Sequence, residues 1–159
     1  MIRVFSTGIA ALLLAMPTTG LGQQAGDGVA EGRAMVQAGR IELIRTELQF
    51  TDAEEAAFWP IFEDYQAKSS AVGDRYAALL TEYVDRWDRG DLDDEYANRL
   101  LKEYFGIKQE MLDVQTDYVP KFMEVLPALK VAQFVQLENK IRAEIDSQLA
   151  IAIPLIDPT

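Results

Sequence analysis

From Phe58 onward the chain repeats apolar or small residues at Phe58, Phe62, Tyr65, Ser69, Val72, Tyr76, Leu79 and Tyr83, spaced 4-3-4-3-4-3-4. That heptad alternation predicts one long helix from just after Thr51 to about Arg89, packed lengthwise on a neighbour. A second seam through Tyr96, Leu100, Tyr104, Ile107, Met111, Val114 and Tyr118 predicts another, from Asp91 or Asp93 to near Val125. Phe134, Leu137, Ile141, Ile145 and Leu149 share one side of a further helix running to about Ala150. Ahead of these, Val36, Ile41, Ile44 and Leu48 mark a first helix from about Val29 to Leu48. Gly32 and Gly39 lie inside it, each costing about 1 kcal/mol relative to Ala. Nothing from Gln23 onward reads as strand.

The boundaries carry their own signals. Thr51 can accept a hydrogen bond from a free backbone N–H while Glu54, three residues on, reaches back to the Thr51 N–H, which is a capping box. Gly90 is a natural C-terminal cap. Asp93, Asp94 and Glu95 place negative charge in the first turn of the third helix, where the helix dipole favours it. Pro127 suits a first helical position. Pro60 and Pro120 fall inside helices, where the lost donor and ring clash predict a bend rather than a stop. Gly73 and the Ser69-Ser70 pair thin the middle of the long seam, allowing close approach or flexibility. The tail Ile151-Ala-Ile-Pro-Leu-Ile156, broken by Pro154, is expected to lie extended against the body.

The expected fold is therefore all-α, with about four helices in long antiparallel hairpins. A helix of ~35 residues spans on the order of 50 Å, more than a compact bundle of this size requires. An elongated or curved body follows, and its long seams predict a homodimer.

The first 22 residues change the picture of where the chain works. Arg3 is the only charge before Asp27, Val4 to Met16 is apolar, and Gly20-Leu-Gly22 offers small residues before Gln23. That is the pattern of a cleaved secretory signal peptide, its apolar run shorter than the roughly 20 residues of a spanning helix. Residues 23–159 then form one helical domain with a flexible lead-in over 23–28. Without Arg3, 14 of the 15 basic residues face 26 acidic ones, a net charge of −12. Such a surface disfavours nucleic acid and anionic headgroups and favours cationic partners as well as solubility. No stable membrane insertion is expected once the leader is removed.

Candidate chemistry is narrowed mainly by what is missing. The chain has no Cys and no His. This excludes His-dependent nucleophile systems, zinc sites of ordinary composition and the Glu-x-x-His di-iron motif. No cofactor is expected and the chain reads as non-enzymatic. A carboxylate pair such as Glu63 with Asp64, or Asp85 with Asp88, could in principle serve a hydrolase. Solvated helix faces account for both pairs. The Asp91, Asp93, Asp94 and Glu95 cluster could attract a hard cation, but its spacing is not that of a calcium loop, and capping accounts for it.

The aromatics are the remaining signal. Phe58, Trp59, Phe62 and Tyr65 crowd one stretch, with Trp87 further on. Core packing explains the seam positions; these five are also the candidate partner-binding residues, Trp59 and Trp87 if exposed. The segment also has an echo. Setting Phe50 on Leu126 places Thr51 on Pro127, Phe58 on Phe134, Ile61 on Leu137 and Tyr65 on Ile141.

With Phe50-Thr51-Asp52-Ala53-Glu54 and Leu126-Pro127-Ala128-Leu129-Lys130 as two degenerate helix-opening copies, the chain resembles the Spy/CpxP family of periplasmic LTxxQ proteins. Phe replaces the motif's Leu and Glu its Gln in the first copy; Pro replaces the capping Thr in the second. The resemblance spans roughly Arg40 to Ala150. It implies a curved homodimeric cradle in the periplasm, acting as an ATP-independent chaperone or as a modulator of envelope-stress sensor kinases. The family's metal-sensing branch uses His ligands, absent here. Its chaperones present basic and apolar residues on a concave face, for which Arg75, Arg86, Arg89, Arg99 and Lys102 are the local candidates. The expected function is to hold unfolded or partner polypeptide; the alternative is a regulatory adaptor docking on one basic partner.

Overall fold

The computed structural model describes residues 37–156. They form four helices and no strand: α1 over residues 37–48, α2 over Asp52–Arg89, α3 over Asp94–Val125 and α4 over Ala128–Ala152. The expected leader (1–22), lead-in (23–28), the 29–36 part of the first helix and residues 157–159 lie outside the described residues.

Each helix begins and ends for a local reason. Glu54 N–H donates to the Thr51 hydroxyl (3.3 Å) and Thr51 N–H to the Glu54 carboxylate (2.8 Å), so the capping box opens α2 as read. Gly90 closes α2 in the left-handed region, at φ 66°. The Asp93 carboxylate accepts the Tyr96 N–H (2.7 Å), which selects Asp93 as the cap of α3. Both internal prolines are accommodated, and the helices run unbroken through Pro60 and Pro120. Thr51→Ala is expected to cost about 1 kcal/mol, read as a shift of the urea midpoint that Thr51→Ser reverses.

Two boundary details differ from expectation. Pro127 is the N-cap of α4 rather than its first helical residue, with ψ 142° and no side-chain cap. The pyrrolidine ring keeps the preceding Leu126 extended, at ψ 150°. Leu126 thereby drops its side chain into the core, 5% exposed. Gly73 serves no close approach, since a Cβ there would meet nothing within 4 Å.

The helices are antiparallel in sequence. Arg75 pairs with Glu110 and Tyr118 with Asp64 across the α2–α3 hairpin. α4 runs back along α3, with Lys108 reaching Asp146 (3.4 Å). α1 folds over the open end of the hairpin, where Gln133 donates to the Glu47 carbonyl (2.9 Å). Gln49, in the α1–α2 turn, takes a left-handed φ of 45°, and Lys130 donates to its carbonyl (3.0 Å).

The core sits at that open end. Ile44 and Leu48 from α1, Phe58, Phe62 and Tyr65 from α2, Tyr118 and Phe122 from α3, Leu126, and Val131, Phe134 and Leu137 from α4 enclose one another. Ring centroids lie 4.7 Å apart for Phe122–Phe134 and 5.2 Å for Phe58–Phe122. Such pairs contribute roughly 0.5–1.5 kcal/mol each beyond the area they bury. The sequence echo becomes a contact here: Phe58 meets its counterpart Phe134 at 5.5 Å, and Glu54 meets its counterpart Lys130 at 2.7 Å. Toward the hairpin turn the seam thins to Val72, Leu79, Tyr83 and Tyr96.

Candidate functional site

A polypeptide-binding surface needs apolar side chains that solvent reaches. Three of the five candidate aromatics fail that requirement. Phe58, Phe62 and Tyr65 are at most 1% exposed, so the heptad seam that marked them is the core itself. Trp59 is half-buried, its indole N–H donating to Glu55 (3.1 Å) beneath the Arg45 guanidinium, 5.0 Å from the ring. The motif residues are structural as well: Thr51 and Glu54 cap, Leu126 packs, and Pro127 starts α4.

Trp87 is different. It lies near the end of α2 and remains 41% exposed. The C-terminal tail passes beside it. The Trp87 indole N–H donates to the Leu155 carbonyl (3.0 Å) and the Tyr83 hydroxyl to the Pro154 carbonyl (2.7 Å). These two bonds pin the tail to α2, with the Leu155 and Ile156 side chains facing solvent; Ile151 and Ala152, expected in the extended tail, instead complete the last turn of α4, where Ile151 is also exposed. Asp85, Asp88, Asp91 and Asp93 are exposed in the same segment. The hairpin tip thus combines an apolar patch with an acidic surround, and large exposed apolar clusters of this kind mark contact surfaces.

Three of the five residues of the expected basic patch are tied to acidic neighbours, while Arg89 and Lys102 are exposed. Arg99 is held by Glu82 (3.3 Å) and Glu103 (3.1 Å), Arg86 by Glu82 (3.2 Å) and Asp91 (3.4 Å), and Arg75 by Glu110. Of these pairs, Arg75–Glu110 and Arg99–Glu82 join α2 to α3, beside a cleft of about 510 Å³ whose lining includes Leu79 and Ile107. Arg86 and Arg99 also stack on the Tyr96 ring, at 4.5 and 5.0 Å. The hydrogen bonds from Arg99 hold the Glu82 carboxyl below the usual range. Arg75 and Arg99 thus join α2 to α3, and Arg86 closes the turn between them.

The carboxylate pairs resolve similarly. Asp64 accepts the Tyr118 hydroxyl, and that bond lowers its pKa, while Glu63, Asp85 and Asp88 are exposed. Among the described residues no three acidic side chains converge as metal ligands. Asp93 is committed to the α3 cap.

Two features escaped the sequence reading. One is the tail's part in the tip patch, which depends on a contact across 68 positions. The other is a second apolar stripe on α3, formed by exposed Leu101, Phe105, Leu112 and Met123. Its signal is present as a heptad register offset from the core seam, which the stronger seam overshadows.

The fold and surface define an all-helical protein with an aromatic core at one end and an apolar, acid-ringed tip at the other. No protein-family model, curated protein or solved structure matches this chain. No described helix is long and apolar enough to cross a membrane.

Proposed function

We propose that this is an exported, periplasmic, non-enzymatic binding protein that holds unfolded or partner polypeptide without ATP, in the manner of the Spy/CpxP proteins, and that it works as a homodimer. The observation that carries the reading is the tip patch: Trp87 pinned by the tail, with Leu155 and Ile156 exposed beside it. A few hundred Å² of apolar contact offers several kcal/mol gross, at about 25 cal/mol per Å². Ordering a client offsets much of that. Weak, reversible holding results. The motif resemblance and the leader-like first 22 residues support this reading of family and compartment.

Light scattering tests it. Residues 23–159 at stoichiometric amounts are expected to suppress aggregation of a chemically denatured client, and Trp87→Asp to weaken suppression several-fold with helicity unchanged. Failure to protect any denatured client ends the reading. The acidic surround favours a second one, an adaptor docked on a basic partner such as a sensor domain. Its binding would fall steeply between low and physiological salt, whereas apolar holding would change little.

A further inference from the structure

The stripe on α3 has a symmetry that the core seam lacks. Leu101, Phe105, Leu112, Val119 and Met123 are spaced 4-7-7-4, a palindrome about Leu112. At 100° per residue they fall within an arc of about 40° and extend about 33 Å. Four of them are more than half exposed; Val119 is half-buried and also packs against the core cluster. A helix that presents an unpaired apolar stripe along its length calls for a partner helix.

The palindrome says which one. A twofold axis through Leu112 and across α3 sets Leu101 against the second copy's Met123, Phe105 against its Val119, and Leu112 against itself. Self-complementarity of this kind is what an isologous interface requires, and an unrelated partner would have no reason to impose it. Charge selects the antiparallel direction. Lys102 lies two residues, about 3 Å along the axis, from the level of the second copy's Glu124, so opposite charges come level on the same side of the seam. A parallel pairing would instead set Lys102, Asp117 and Glu124 each against its own copy. The charges near the axis already have partners within their own chain: Asp113 accepts the Gln109 amide (2.7 Å), Lys108 reaches Asp146 (3.4 Å) and Glu110 pairs with Arg75.

We infer that α3 pairs antiparallel with α3 of a second copy about Leu112. This deepens the homodimer of the proposed function and rests on that part of it. The two hairpin tips then face opposite ends, about 54 Å apart along the α3 axis, so one dimer offers two separate patches. A strip about 33 Å by the ~10 Å width of a helix lies toward the small end of specific interfaces. The dimer is therefore expected to dissociate on dilution.

The absence of cysteine makes the register testable. Under mild oxidation Leu112→Cys should form a covalent dimer. Phe105→Cys alone should not, its two copies being about 21 Å apart, but mixed with Val119→Cys it should. Sedimentation at about 100 μM should show a wild-type dimer and a Leu112→Glu monomer of unchanged helicity. Equal cross-linking of Phe105→Cys and Leu112→Cys would mean a parallel pairing and overturn the inference. So would a monomeric wild type at that concentration, whose stripe is then left for some other partner, or a dimer that survives Leu112→Glu. A monomer that still suppresses aggregation would sink the interface alone, and a dimer that protects no client would sink only the holding function.

Discussion

Phe58→Ala is expected to cost about 3–5 kcal/mol of unfolding free energy, the range for emptying a buried aromatic site. Phe58 is 0% exposed and sits where both motif copies meet, against Phe50 (4.8 Å), Phe62 (5.5 Å), Phe122 (5.2 Å) and Phe134 (5.5 Å). Collapse into the gap is hindered because α2, α3 and α4 all line it and each is tied elsewhere. Against a total of roughly 5–15 kcal/mol for a domain of ordinary stability, the variant should unfold at a much lower urea midpoint. Phe105→Ala, on the exposed stripe, should stay within about 0.5 kcal/mol in dilute solution. Equal losses at the two sites would mean that the open-end cluster is not the stabilising core.

Arg40→Ala is expected to cost about 3–5 kcal/mol by a different route, since it strands a buried carboxylate. Glu138 is 4% exposed, accepts two N–H groups from one edge of the Arg40 guanidinium (Nε–Oε1 2.9 Å) and accepts the Tyr65 hydroxyl (2.9 Å). Arg40 also covers the Phe62 ring at 5.3 Å, so it joins α1, α2 and α4. The double variant Arg40→Met with Glu138→Leu should recover most of the loss, because an apolar pair needs no desolvation of charge. If the double variant is as unstable as the single one, the packing of Arg40 and not the stranded charge is responsible. The same network has an alkaline signature. Burial first, and the Glu138 charge second, push the Tyr65 hydroxyl up to about 12. An unfolded tyrosine titrates near 10. The contribution is therefore intact below about pH 10 and lost as pH rises from there toward 12.

Much of the architecture was readable in advance. Thr51 with Glu54, Gly90 and Asp93 set helix ends through contacts within four residues. The seam from Phe58 to Tyr83 needed only periodicity to show which face of α2 is inward. The functional surface was legible only in part. Trp87 was among the candidates, but Phe58, Phe62 and Tyr65 stood beside it because aromatic residues look alike whether they fill a core or face a partner. Glu138 gave no warning of its burial, since Arg40 lies 98 positions away. Arg75, Arg86 and Arg99 likewise read as a patch, because local spacing does not show that Glu110 lies beside Arg75 and Glu82 beside Arg99.

What the chain by itself determined is its helices, their caps, their inward seams and its excess of acid, because these follow from composition and from residues within one or two turns. Tertiary structure decided which apolar stripes are covered. It buried the aromatic run around Phe58, held Trp87 open beside the tail, and left Leu101, Phe105, Leu112 and Met123 outside. Coverage is a property of neighbours brought together from distant parts of the chain, and local spacing carries no record of them.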